Sequence, residues 1–235
     1  MIEPQRDTLV GQTQIKDAQR PTDGSFVRMM GETYYRIAHS DHMPPFFMSV
    51  VSGTDHWLFI TSTGGLTAGR VNPDSALFPY ETEDKLDAHR ETTGSKTIIH
   101  VTRNGHSQLW EPFSERYAGI YDVERNLYKS IYGDKLVLEA INHDLGLTLR
   151  QAWRMGNRFG FIRTVRLQND GDTPCQIDLL DGLQNVLPYG VTSATQRLNS
   201  NLLNAYKRNE LESDTGLGIF ALSATLTDQA EPSES

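Results

Sequence analysis

The stretch Asp181–Gly190, DGLQNVLPYG, gathers groups that suit a hydroxyl-rich ligand. Gln184 and Asn185 each offer amide donors and an acceptor, and Tyr189 offers a ring between Pro188 and Gly190. A pyranose has an apolar C–H face that stacks on phenol or indole rings. Its hydroxyls pair with Asn, Gln, Asp or Arg side chains. The same chemistry is on offer at Arg70 and Asn72, and at Trp110, read as an edge position beside Glu111 and Pro112. Arg70, Asn72, Trp110, Gln184, Asn185 and Tyr189 are therefore the candidate ligand contacts. The plainer alternative makes 181–190 a strand-to-helix corner whose polar groups satisfy backbone.

Other patterns carry less. Thr61–Arg70, TSTGGLTAGR, has glycines for close approach to a phosphate and Arg70 for an oxyanion. It is not the G-x-x-x-x-G-K-[ST] motif and no helix follows, so it reads as a β-connection needing positive φ at Gly64, Gly65 or Gly69. His39 and His42 form H-x-x-H, but a metal would need a third ligand and a helical or tightly turned backbone. They read as surface or loop histidines, and neither metal nor cofactor is expected. His56, His89, His100, His106 and His143 accompany many carboxylates, but their spacing singles out no acid–base set, so no catalytic residue is assigned.

The elements that must position these groups are short strands. Strand patterns cover Thr33–His39, Pro45–Ser52 (with Phe46, Met48 and Val50 on one face), His56–Ser62, Lys96–Thr102, His106–Pro112, Lys135–Asn142 and Leu145–Met155. RFGFIRTVRLQN, CQIDLLDGLQ and GLGIFALSATL follow. Turn residues join them at 103–105, 142–144, 155–157 and 169–171. Strand, short turn, strand is an antiparallel pattern without the crossovers a parallel sheet needs. Ser62–Ser75 reads as a long loop. Val191–Glu212 reads as the one helix, with Leu198, Leu202, Ala205 and Tyr206 at helical spacing, Ser193 or Thr195 as N-cap, and Lys207 and Arg208 near the carboxyl end. The expected fold is all-β and mainly antiparallel: a large two-sheet sandwich with one helix near the C-terminus.

Across 235 residues the chain carries 30 acidic and 22 basic residues, a formal net charge of −8. That argues against a broad nucleic-acid surface or adsorption to anionic membranes. Cys175 is the only cysteine, the amino terminus lacks an apolar h-region, and no apolar run is long enough to span a bilayer, so a cytoplasmic protein is expected. Residues 1–25 read as an arm, 26–228 as one sandwich domain and 229–235 as a mobile tail.

The run LGLTLRQAWRMGNRFGFIRTVRLQNDGDTPCQIDLLDGLQ resembles a passage in the amino-terminal sandwich of cellobiose-phosphorylase-like enzymes and related glycoside hydrolases. Arg163, Val165, Leu167, Asn169, Asp172 and Pro174 hold the places of the pattern R-x-V-x-L-x-N-x-G/S-D-x-P. The resemblance is firmest over 135–185. It implies a galactose-mutarotase-like supersandwich coupled to a C-terminal (α/α)6 barrel that carries the catalytic acid, so no catalytic residue transfers here. On that reading the chain is the amino-terminal part of a longer protein. It would brace the barrel, shape one wall of a sugar cleft and contribute a homodimer contact, with carbohydrate as ligand. The alternatives are a stand-alone carbohydrate-binding or interaction module, or an aldose-1-epimerase-like enzyme.

Overall fold

The computed structural model describes residues 9–10, 12–16, 20–157 and 160–224, and the expected tail at 229–235 lies outside them. The strands are β1 (Leu9–Val10), β2 (Thr13–Gln14), β3 (Asp23–Met29), β4 (Glu32–Ala38), β5 (Phe47–Val50), β6 (His56–Thr61), β7 (Leu66–Arg70), β8 (Gly94–Arg103), β9 (His106–Trp110), β10 (Val123–Ser130), β11 (Lys135–Asn142), β12 (Leu147–Gly156), β13 (Gly160–Asn169), β14 (Gln176–Gln184), β15 (Lys207–Glu212) and β16 (Leu217–Leu222). Two α-helices accompany them, α1 (Glu83–Ala88) and α2 (Ser193–Tyr206). All pairings between these strands are antiparallel.

One layer is a six-stranded sheet in the order β13-β12-β11-β10-β4-β3. The facing layer is divided into two three-stranded sheets, β5-β6-β7 and β14-β8-β9. Alternation along the strands builds the interior. Met48, Val50, Leu58, Ile60 and Ala68 meet Leu127, Leu136, Leu138 and Trp153 in one apolar cluster. Ile99, Val101 and Trp110 meet Ala140, Leu147 and Leu149 in a second.

A polar partition separates the two clusters. Along the inward face of β12, Gln151 falls between Leu149 of one cluster and Trp153 of the other. Its amide donates to Ser95 Oγ at 2.9 Å, and Arg163 Nε donates to the same oxygen at 3.0 Å. The Arg163 guanidinium then forks onto Asp181, both contacts at 2.7 Å, and Thr97 Oγ1 donates to that carboxylate at 2.6 Å. Burial works to raise the Asp181 pKa, but the bonds from Arg163 and Thr97 outweigh it and leave it lowered.

Several elements differ from the sequence expectation. β7 lies inside the stretch read as a loop. Of its glycines only Gly64 has positive φ; Gly69 is needed for close approach, because a Cβ there would lie 2.5 Å from the Trp57 ring. β3 begins at Asp23, so the sheet starts slightly ahead of residue 26, and Lys16 and Arg20 tie the preceding segment to Asp144 and Asp122. The helix ends at Tyr206 rather than Glu212, where Lys207 turns into β15, and its N-cap is Thr192, whose Oγ1 accepts from Thr195 N at 3.1 Å. Its buried residue is Leu203, packed with Ala76, Leu187 and Val191, while Leu198 and Leu202 are exposed. Among the described residues no helix is long and apolar enough to cross a membrane.

Trp153 is fully buried and its Nε1–H has no acceptor among the described residues. Trp153→Ala is expected to cost about 3–5 kcal/mol in urea unfolding. Trp153→Phe should cost only about 1–2 kcal/mol, because losing ring area is partly offset by removing an unpaired donor. The lowered Asp181 pKa stabilises the fold above the ordinary carboxylate range, and that contribution is lost as pH falls through the folded-state value. The urea midpoint of Asp181→Asn should therefore start lower at pH 7 and fall less steeply below about pH 4 than that of the wild type.

Candidate functional site

A cleft of about 550 Å³ opens where the ends of β6 and β7 meet the segment between β14 and α2. That volume is in the usual range for small-ligand sites. Phe161, Leu187 and Val191 give it an apolar floor, and Arg70, Asp74 and Tyr189 stand around it. His56 and Arg70 are directly opposite each other in the β6–β7 register.

The polar groups are held from behind. Arg70 donates to Asp55 at 3.0 Å. That bond raises the Arg70 pKa and lowers that of Asp55. His56 Nδ1 lies 2.7 Å from Thr54 Oγ1 and 3.4 Å from Asp55, and its ring meets Phe161 edge-on at 5.2 Å. Asp74 accepts from Ser193 N at 2.9 Å and Ser193 Oγ at 2.8 Å, which lowers its pKa and ties the start of α2 to the far side of the cleft.

Tyr189 is different. Its side chain is 98% exposed, so packing does not explain an aromatic ring at this place. Pro188 before it is buried and Gly190 after it takes φ +87°, which sets the ring out at the rim. Opposite, Val71 adopts φ +57°. A β-branched residue in the left-handed region is strained, and such strain gathers at ligand sites.

The cleft thus brings together two of the residues singled out from sequence, Arg70 and Tyr189. Asn72 sits next to it without lining it, its Oδ1 accepting from Asp74 N at 3.0 Å at the head of a single 3₁₀ turn, Pro73–Ser75. Gln184 and Asn185 turn inward to the protein itself: Gln184 Nε2 donates to Glu91 O at 2.8 Å and Asn185 Nδ2 to Thr93 Oγ1 at 2.9 Å. For these two the strand-to-helix corner is the better description. Trp110 closes an edge strand, but its side chain points inward and is 3% exposed, so it belongs to the core and not to an edge site. Trp57 is half-buried and stacks on Phe59 at 5.7 Å. His56 and Asp74 went unselected in the sequence, because only folding brings β6 and the 71–75 turn beside Tyr189.

The chain matches no protein-family model and no curated protein resembles it significantly.

Val71 is 70% exposed, so changing it removes little buried surface. Val71→Asn, which tolerates positive φ, should raise stability by about 1 kcal/mol in urea unfolding.

Proposed function

We propose that the chain is a non-catalytic β-sandwich domain that binds carbohydrate in the cleft between Arg70 and Tyr189. The observation that carries this is the exposed Tyr189 ring on the rim of an apolar-floored cleft, within electrostatic reach of an Arg70 guanidinium already oriented by Asp55. An exposed ring supplies a stacking face for a pyranose, and a pre-positioned guanidinium supplies donors to its hydroxyls. Binding rather than turnover is favoured by the state of the carboxylates. Hydrogen bonds from Ser193 lower the pKa of Asp74, and the bond from Arg70 lowers that of Asp55, so both are weak bases toward a hydroxyl proton.

On the resemblance carried by Arg163, Val165, Leu167 and Asn169, the fuller reading is the sandwich of a glycoside phosphorylase or hydrolase standing beside an (α/α)6 barrel. A cytoplasmic location belongs to the same reading and rests on the single cysteine.

Calorimetric and NMR titration with a panel of mono- and disaccharides tests this directly. Saturable binding is expected, weakened about 5–30-fold by Tyr189→Ala or Arg70→Ala. A folded sample that binds none of the sugars, or binds them equally well in both variants, overturns the assignment.

A further inference from the structure

The outer face of the six-stranded sheet, turned away from the facing layer, carries a different chemistry. Its centre is Glu139, 2% exposed on a sheet face over which no second sheet packs among the described residues. Glu139 accepts from Asn126 Nδ2 at 2.9 Å, from Tyr128 OH at 2.8 Å and from Arg150 Nε. The carboxylate is therefore saturated, and it fixes Arg150 through Nε alone. The two terminal nitrogens of that guanidinium have no partner among the described residues and are not sealed from solvent.

Directly opposite Arg150 in the β12–β13 register stands Arg166. Arg166 is exposed and makes no ion pair among the described residues. Cross-strand neighbours on one face lie about 5 Å apart at Cβ, and like charges there are destabilising. A second like-charged pair stands on the same face in the β11–β12 ladder, beyond Val137 and Ala152. Arg154 is opposite Lys135, and Lys135 is neutralised by Glu32 while Arg154 is exposed and unpaired among the described residues. The remaining carboxylates nearby are committed elsewhere. Asp170 takes Thr148 Oγ1 and Gln168 Nε2. Glu124 takes Asn126 and Arg36, with His39 and His143 beside it. A chain of net charge −8 thus keeps a facing arginine pair whose one ion pair among the described residues is that of Arg150 with the buried Glu139.

We propose that this face is an oxyanion-binding site, with Arg150 and Arg166 as its two forks, for a small ligand bearing a phosphate or a carboxylate. Guanidinium forks match both groups with paired N–H donors, and a fork held by a buried carboxylate loses little freedom on binding. The site is distinct from the Arg70–Tyr189 cleft and does not depend on the sugar reading of that cleft.

Titration of the whole chain with inorganic phosphate and with succinate, which carries no sugar ring, at ionic strength matched with sodium chloride, tests it. The Nε–Hε resonances of Arg150 and Arg166 should shift together along one saturation curve, and the anion should raise the unfolding temperature. Arg166→Gln should weaken binding at least tenfold and abolish the thermal shift, while raising the unfolding temperature of the anion-free protein by removing the repulsion. Arg150→Gln is the less useful variant, since it strips a buried carboxylate of its cation. Tyr189→Ala should leave anion binding unchanged. Whichever of phosphate and succinate binds more tightly identifies the group recognised. The proposal fails if both anions act no differently from chloride, if Arg166→Gln binds as well as the wild type, or if only a polymeric anion such as heparin binds.

Discussion

The fork of Arg163 on Asp181 joins the two layers of the sandwich at the place where its facing layer is divided. Arg163 comes from the edge strand of the six-stranded sheet, and Asp181 from the edge strand of the sheet opposite. A charge pair between layers is costly to desolvate unless its remaining hydrogen-bonding capacity is met. Here Ser95, Thr97 and Gln151 meet it. A continuous apolar interior would let the two three-stranded sheets slide over β12 with little penalty. A polar node in the middle fixes their registration, since any shift leaves Asp181 or Gln151 unpaired.

With that node in place, the surfaces follow. The β5-β6-β7 sheet sits over Trp153 and Leu138, and α2 closes on its far side through Leu203 and Trp57. The cleft is the space left where that closure stops. No second sheet packs over the opposite surface among the described residues, so its central strands satisfy themselves. Tyr34, Tyr128 and Val137 pack flat, and burial followed by its hydrogen bond to Glu32 pushes Tyr34 up to about 12. Val27, Met29 and Ala152 pack against them, and the Arg36 guanidinium lies over the Tyr128 ring, 6.0 Å from its centre. The same sheet is thus greasy on one side and ionic on the other.

How much of this was legible in the sequence depended on what each residue's neighbours were. Lys135–Asn142 reads as a strand because Leu136, Leu138 and Ala140 alternate cleanly toward the core, and β11 has those bounds. Its partner β10, VERNLYKS, went unread: its buried residues include Asn126 and Tyr128, which belong to a polar face that mimics a solvent-facing segment. β7 was hidden by Gly69, whose missing side chain makes room for Trp57 rather than for a turn. KRNELE passed for a helix end because Lys207 and Arg208 suit a helix C-terminus, yet the backbone turns extended at Lys207. At the cleft, Arg70 and Tyr189 were legible as chemistry but not as neighbours. Gln184 and Asn185 carry equally suitable groups, and only the position of the Glu91 carbonyl and the Thr93 hydroxyl decides that they are spent internally.

The order of strands in the six-stranded sheet also sets how the chain can reach this structure. β10 to β13 form a meander of hairpins between sequence neighbours, which can close in microseconds each. β3 and β4 form another. The two meanders join only through β4 and β10, where Leu127 lies against Ile37 and Tyr128 against Arg36. Everything between those strands in sequence, including the whole β5-β6-β7 sheet and most of β14-β8-β9, has to be looped out before that junction forms. Local pairing is fast and the long closure is slow, since its entropy is lost before any contact rewards it. Folding of this sandwich therefore waits on two long-range strand pairs, β8 with β14 and β4 with β10, and in the second Tyr128 and Arg36 register one prefolded half against the other.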